Sequence, residues 1–400
     1  MNAKNKNVFI QNFWYVSNYG ACLTAYALYT IINQLNYNVQ LIDISSLGES
    51  LTYSFSSFIN RHCKTTQHIK SYSDFEQISD KDSIYITGSD QVFRPYLVKN
   101  NLNKFLFDYI GEVKKIAFSA SFGKDKQGFI KETSPKIIEQ MTQSLKSFDL
   151  ISVREKSGVE ICKDIFGVNA EWIIDPVFIL EKSYFENIAQ EGSAKYNDYI
   201  ASCIFEKKNN KLDEFLPKKY GSKVFELHNS NISIENWLNT IQNCRFLVTN
   251  SYHAMCFAII FNKPFIALSK DMGASARFES LFELLGIKDQ SISNINEIYE
   301  KDCIFKINYD HVNKRIEEER RRGLEFLQKA LDAPCGKFEE KQAVRTKCLE
   351  DRVAELESQA NLKYQIKKEL WNLWLVIFHK YLPEPVKTII RLARNKYVRK

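Results

Sequence analysis

No CxxC pair occurs in this chain, and its nine cysteines (22, 63, 162, 203, 244, 256, 303, 335 and 348) form no ligand-like grouping with the six histidines. A zinc site and a disulfide framework are therefore excluded as organising features. Cys203, Cys244 and Cys256 sit inside apolar runs, where a thiol behaves as a small hydrophobe, so a reducing, cytoplasmic setting is expected. Glycine and proline are scarce, 14 and 8 residues against 28 Phe and 20 Tyr, which leaves little room for disorder. Neither a Walker motif nor GxGxxG follows the first strand, so no standard nucleotide loop is signalled there. The N-terminal stretch has no apolar h-region, and no secretion signal is expected. The apolar run Leu370–Phe378 is nine residues long, far short of the ~20 needed to span a bilayer.

What is present is globular. Hydrophobic residues make up 44% and charged residues 26%, and 400 residues suggest two to three domains at ~150 residues each. Charge is unevenly placed. Residues 361–400 hold ten Lys/Arg and two Glu, a net +8 against +7 for the whole chain, so the body is near neutral and the tail basic.

Apolar periodicity predicts strands at 7–11, 39–42, 83–87, 115–119 and 150–153, with helices over 21–35, 129–147 and 155–166. After Asp175-Pro176, read as a turn, a second alternation begins. Strands are expected at 199–205, 223–228, 246–249 and 264–268, and helices at 233–242, 253–262 and 276–285. The fold class is α/β, two Rossmann-like domains (1–170 and 171–310) followed by a helical extension, 311–400, with a basic amphipathic tail. A charged helix fills 311–330. Residues 337–381 contain neither Pro nor Gly, and Val344, Cys348, Leu349, Val353, Leu356 and Leu362 follow a heptad only loosely. The Trp-rich end, flanked by lysines, reads either as a helix lying on an anionic membrane through residues 365–400 or as a stem packed on protein. No aromatic–basic pattern for nucleic acid accompanies the charge, so no nucleic-acid partner is expected.

Chemistry-bearing residues collect at strand ends. Asn18 and Gly20 open the first helix, where a close backbone and a helix N-terminus suit an anion, although an ordinary glycine turn explains them too. Ser89, Asp90 and Gln91 follow the third predicted strand and offer an acceptor and an amide for sugar hydroxyls, or a helix cap. Arg154 follows another strand and could clamp a carboxylate or phosphate, or pair with Glu155 or Asp149. Asn250, Ser251 and His253 lie between a strand and an apolar helix. There His253 could act as acid or base, or simply pack at the helix start.

Taken in order, Asn18-Tyr-Gly-Ala, Gly88-Ser-Asp-Gln-Val-Phe93, Ala117-Phe-Ser-Ala-Ser-Phe-Gly123, Ile151-Ser-Val-Arg-Glu155, Asp175-Pro-Val-Phe178 and Thr249-Asn-Ser-Tyr-His253…Lys263-Pro-Phe265 resemble the polysaccharide pyruvyl transferases of bacterial capsule and exopolysaccharide pathways. The resemblance covers about residues 7 to 290. It implies a GT-B-like pair of domains and transfer of a pyruvyl unit from phosphoenolpyruvate to a sugar, forming a ketal without metal or cofactor. It further implies His253 and Asp90 as catalytic residues, and Arg154, Asn18, Gly20, Asn250, Ser251 and Arg277 around the donor. Ser89 and Gln91 would then face the acceptor. Some family members carry an arginine beside the motif histidine, where this chain has Ser251 and Tyr252. The phosphate's cation would then be Arg277 or Lys270. An undecaprenyl-linked oligosaccharide is the expected acceptor, reached from the inner face of the membrane. The alternatives are a glycosyltransferase using a nucleotide sugar and a non-catalytic polysaccharide assembly factor.

Overall fold

Chain order supplies seven strands before residue 173: β1 (Asn7–Gln11), β2 (Asn38–Asp43), β3 (Thr65–His68), β4 (Ile84–Asp90), β5 (Lys114–Ala120), β6 (Leu150–Val153) and β7 (Glu171–Trp172). Five more follow: β8 (Tyr199–Cys203), β9 (Lys223–Glu226), β10 (Phe246–Thr249), β11 (Phe265–Leu268) and β12 (Ser291–Ile292). The computed structural model describes residues 6–45, 53–69, 72–78, 82–111, 113–193, 198–205, 211–228, 232–268, 275–292, 297 and 306–378.

The first sheet runs β3-β2-β1-β4-β5-β6-β7 and the second β12-β11-β10-β8-β9, every pairing parallel. Parallel sheets are covered on both faces, which demands continuous apolar strands. The central β4 and β5 are covered throughout, with every residue buried except the half-buried Asp90; the two lysines that open β5 donate to the carbonyls of Leu331 and Phe107. Strand order reverses between β1 and β4 in the first sheet and between β8 and β10 in the second. Ligands of open α/β sheets bind at such reversals, outside the carboxyl ends of the strands.

The helix Tyr252–Ile260 is apolar all round, and all nine of its residues are buried. That is the signature of a helix enclosed on every side. Its first turn reaches the first helix, Tyr19–Gln34, which follows β1, so the two reversals share one wall.

Four details differ from the sequence expectation. The helix expected over 129–147 is two helices, Lys126–Glu132 and Pro135–Lys146. Ser134 accepts a hydrogen bond from the Ile137 N–H at 3.4 Å and Pro135 opens the second, since a proline is tolerated in a first turn but not mid-helix. Strand β3, Thr-Thr-Gln-His, carries no apolar signal and survives as the outermost strand of its sheet. Strand β7 extends the first sheet two residues past the expected boundary at 170.

The charged helix of 311–330, observed as Tyr309–Asp332, belongs with the body, because the compact unit runs from Met1 to Arg345. Its apolar stripe, Val312, Ile316, Phe326, Leu327, Ala330 and Leu331, is buried. The Tyr309 hydroxyl donates to the Lys263 carbonyl, and Lys114 Nζ donates to the Leu331 carbonyl at 2.7 Å. This one helix therefore touches elements of both sheets. Gly323 permits the approach: a Cβ there would lie 2.4 Å from Ile179 Cδ1.

The second unit, Thr346–Lys400, contains most of the helix Phe338–Phe378. Among the described residues no helix is long and apolar enough to cross a membrane. The basic segment expected around 386–399 lies outside them.

Candidate active site

The ends of β4 and β6 and the turn after β7 deliver three charged side chains to one point. Arg154, buried just beyond β6, donates from Nη1 to Asp175 Oδ2 at 2.7 Å and from Nη2 to Asp90 Oδ1 at 2.9 Å. Of the two sequence neighbours offered as partners, Glu155 makes only a long ion pair and Asp149 none with it among the described residues. Glu155 Oε2 is 4.0 Å from Arg154 Nε, and Glu155 Oε1 instead accepts from the Phe122 N–H at 2.7 Å, the Gly123 N–H at 3.1 Å and the Ser121 hydroxyl at 3.1 Å. Burial pushes the Glu155 carboxyl above its usual range, with Arg154 opposing. In Arg154 burial works against the charge, but Asp90 and Asp175 outweigh it and hold the guanidinium firmly protonated.

Asp175 is the hub. The Asp-Pro pair does make a turn, with Oδ1 accepting from the Val177 N–H at 3.1 Å to start the short helix Pro176–Ile179. The same oxygen accepts from the Thr24 hydroxyl at 2.9 Å, and Oδ2 faces His253 Nε2 at 3.5 Å as well as Arg154. Burial alone would raise its pKa, yet His253 and Arg154 hold the carboxyl well below the ordinary range. Asp90 is likewise held down: Arg154, His253 and Arg277 overcome its burial. Its backbone sits in the left-handed region at φ 67°, which aspartate tolerates better than most residues. The Ser121 N–H bond to the Asp90 carbonyl, 2.9 Å, pins that conformation.

The second sheet contributes the other wall. Ser251 caps the Tyr252–Ile260 helix by accepting from the Ala254 N–H at 3.4 Å. The buried His253 therefore projects from a fixed first turn. Tyr252 lies between two guanidiniums, with Arg154 4.7 Å and Arg277 5.2 Å from its ring centroid. Such cation–π contacts strengthen when desolvated. Arg277 is half-buried, and burial together with the like charge of Arg154 brings its pKa down to about 10, still protonated at neutral pH. Three buried nitrogens at this junction, Arg154 Nε, Arg277 Nε and His253 Nε2, make no close hydrogen bond within the protein; the first faces Glu155 Oε2 at 4.0 Å and the last Asp175 Oδ2 at 3.5 Å. A buried polar atom without a partner calls for an explanation, and a bound ligand, ion or water is one.

Gly20 explains how the histidine fits. A Cβ at this position would lie 2.1 Å from His253 Nδ1 and 2.5 Å from His253 Cβ. Helix propensity alone would favour alanine by up to ~1 kcal/mol. Overlap with a backbone-proximal atom wins, because no rotation of the imidazole removes it. Gly20→Ala is expected to lower stability by about 1–3 kcal/mol, read as a urea midpoint shift at constant slope. An unchanged midpoint would contradict this packing.

The remaining expected site residues fall on the periphery of this cluster. Asn18 is exposed and caps the first helix, accepting from the Ala21 N–H at 3.1 Å. Ser89 is buried 2.6 Å from the Thr24 hydroxyl, on the network that ends at Asp175. Asn250 spends its amide on the backbone of Phe205, accepting from the N–H at 2.8 Å and donating to the carbonyl at 3.0 Å. Gln91 Oε1 accepts from Arg94 Nη1 at 3.0 Å. Lys270 lies outside the described residues. Sequence reasoning passed over Asp175, Thr24 and Tyr252 as site components; the Asp175-Pro-Val-Phe motif was the signal available for the first. Among the described residues no group of three His, Cys, Asp or Glu side chains is placed to hold a metal ion.

Comparison with known proteins accords with this architecture. The chain covers 98% of S. aureus MnaA, solved with UDP, at 12% identity and a TM-score of 0.52, with 83% of this chain matched. Rickettsia bellii UDP-N-acetylglucosamine 2-epimerase matches at 10% identity and a TM-score of 0.52, over 82% of this chain and 97% of its own. At such identities the likeness is one of fold, two Rossmann-like halves in the GT-B manner. No curated protein matches the sequence. The family model for polysaccharide pyruvyl transferases matches residues 18–271, from the cap of the first helix to beyond β11 and across every motif that builds the cluster. With more than half of its length so matched, the chain belongs to the polysaccharide pyruvyl transferase family.

Proposed function

We propose that the protein transfers a pyruvyl unit from phosphoenolpyruvate to two hydroxyls of one sugar in a surface-polysaccharide precursor, closing a cyclic ketal. The observation that supports this donor is Arg277 Nε, a buried nitrogen without a hydrogen-bond partner, beside the cationic Arg154 and the His253 imidazole. Phosphoenolpyruvate carries a phosphate, a carboxylate and a carbon that must be protonated, so it asks for fixed cations and one proton donor. Arg154 already engages both carboxylates, and this reading therefore moves the anion contact to Arg277. Arg154 instead holds Asp90 and Asp175 in place.

In this scheme a proton on the His253 imidazole passes to the methylene carbon of the donor, leaving C2 electrophilic. A sugar hydroxyl attacks C2 and its proton leaves to a carboxylate, for which Asp90 Oδ2 is the candidate. Phosphate then departs with its bonding pair, and a neighbouring hydroxyl closes the ring with loss of its own proton. Gln91, next to Asp90 at the end of β4, is the candidate acceptor contact. Ser89 supports Asp175 through Thr24.

The test is purified protein with phosphoenolpyruvate and candidate undecaprenyl-linked glycans, following phosphate release and a rise in acceptor mass. A nucleotide sugar serves as the competing donor; turnover with it and none with phosphoenolpyruvate would sink the reading. Within an active enzyme, Arg277→Ala should raise KM for phosphoenolpyruvate roughly ten- to hundredfold, the worth of a charged hydrogen bond of about 1.5–3 kcal/mol. A KM within twofold of the parent would remove Arg277 from the donor site.

A lipid-linked acceptor and a place at the inner membrane face form the second part of the proposal. They are supported by the +8 charge of residues 361–400 and the tryptophans at 371 and 374. Removing residues 361–400 should abolish binding to anionic vesicles, and retained binding would argue against it.

A further inference from the structure

The helix Phe338–Phe378 continues past the body's compact unit, and its exposed side chains are not those of a solvated spacer. Leu349, Val353 and Leu356 are 40%, 56% and 48% exposed. They recur at spacings of four and three residues, so they form one stripe along the helix. In a seven-residue register Thr346, Val353 and Ala360 take position a, Leu349 and Leu356 take position d, and Lys363 at the next d ends the apolar stripe. A β-branched residue at a with leucine at d is the combination that favours two strands. Two heptads of apolar stripe would not by themselves choose an occupant. The flanking charges do.

Position g holds Arg345 and Arg352, and position e holds Glu350 and Glu357. In a parallel pair of identical helices each g residue faces the e residue five positions later on its neighbour. Arg352 would then meet Glu357, two opposite-charge contacts over the two strands, while Arg345 packs against Gly111 of the body. An antiparallel pair sets g against g and e against e, arginine on arginine and glutamate on glutamate. Within a single chain Arg352 Nη1 is bonded to Glu355 of its own helix, while its side chain remains 40% exposed. The planar guanidinium can keep that bond and reach a second carboxylate with its other donors. Glu350 and Glu357 are both exposed.

We infer that this segment is a parallel two-stranded coiled coil and that its partner is a second copy of this chain. The arrangement also gathers two basic segments, each +8 over 361–400, at the same end of the stem. The inference does not rest on the donor or on the reaction.

Sedimentation equilibrium of the full-length protein tests it directly. The molar mass should rise with concentration from 46.7 kDa toward twice that value. The charge reversal Arg352→Glu should weaken association at least tenfold, and the swap Arg352→Glu with Glu357→Arg should restore it. Restoration shows that neither change merely unfolds the helix. Under mild oxidation Val353→Cys should give a 353–353 cross-link, identified by peptide mass. A monomer at every concentration would overturn the inference and leave the stripe to a membrane or another protein. A dimer indifferent to Arg352→Glu, or one without the 353–353 link, would overturn it equally.

Discussion

Asp175→Ala should cost about 3–5 kcal/mol of folding free energy, the penalty for removing one member of a buried ionic set. Asp175 is fully buried, and so is the Arg154 guanidinium it holds. Three groups lose their acceptor together: Arg154 Nη1, the Thr24 hydroxyl and the Val177 N–H. Asp90 keeps its own bond to Arg154, so the guanidinium is not abandoned completely, which sets the loss within that range and not above it. Asp175→Asn separates shape from charge, because the amide oxygen can still accept from Thr24 and Val177. It should recover part of the loss but not the whole.

The pH dependence carries a definite sign. The folded-state pKa of Asp175 lies below its ordinary value, and the unfolded value is ~3.9. The carboxylate's contribution is therefore fully present above pH ~4 and disappears as pH falls toward the folded pKa. The stability gap between parent and Asp175→Asn should be flat from about pH 5 to 8 and shrink only on further acidification. Urea titrations across that range measure it. A gap that widens below pH 4, or an Asp175→Ala loss under 1 kcal/mol, would contradict the ionic role assigned here.

Much of the scaffold was legible because parallel strands buried on both faces have to be apolar throughout, as Ile84-Tyr-Ile and Phe246-Leu-Val are. The same rule hid β3, whose polar residues are permitted only because it lies at the sheet's edge. Charged pairings were harder to read. Arg154 read as an anion clamp or as the partner of a sequence neighbour, and Glu155 does lie 4.0 Å away, but the side chain following a strand meets the ends of adjacent strands and loops. Its hydrogen-bonded partners are 21 and 64 residues away. Asp175 was passed over for a related reason: a cap explains an Asp-Pro turn fully at the local level, and the second use of that carboxylate comes from Thr24, 151 residues distant. Asn250 shows the converse. Its amide looked available for a ligand until Phe205 came within reach from the end of β8. Arg277 stood in the sequence without a motif of its own, and only its stacking on Tyr252 brings it to the cluster.

His253→Ala should lower kcat for pyruvyl transfer by a factor of 10²–10⁴, the usual span for a lost proton donor, while KM for phosphoenolpyruvate changes little. Arg277→Ala should do the reverse, acting mainly on KM, so the two variants separate proton transfer from anion binding. Because the imidazole occupies a buried site, exogenous imidazole should restore part of the activity of His253→Ala but none of that lost in Arg277→Ala. A His253→Ala enzyme that keeps more than a tenth of the parent kcat would end the case for the histidine as acid. The Gly20 contact supplies an independent check on the packing. A Cβ added at Gly20 would fall 2.5 Å from His253 Cβ, an atom that alanine retains. Truncating the histidine therefore cannot relieve the overlap, and Gly20→Ala combined with His253→Ala should be no more stable than Gly20→Ala alone. If the double variant instead recovers the parent stability, the clash involves only the ring. The glycine's purpose would then be to seat the imidazole, and not to bring the two helices together.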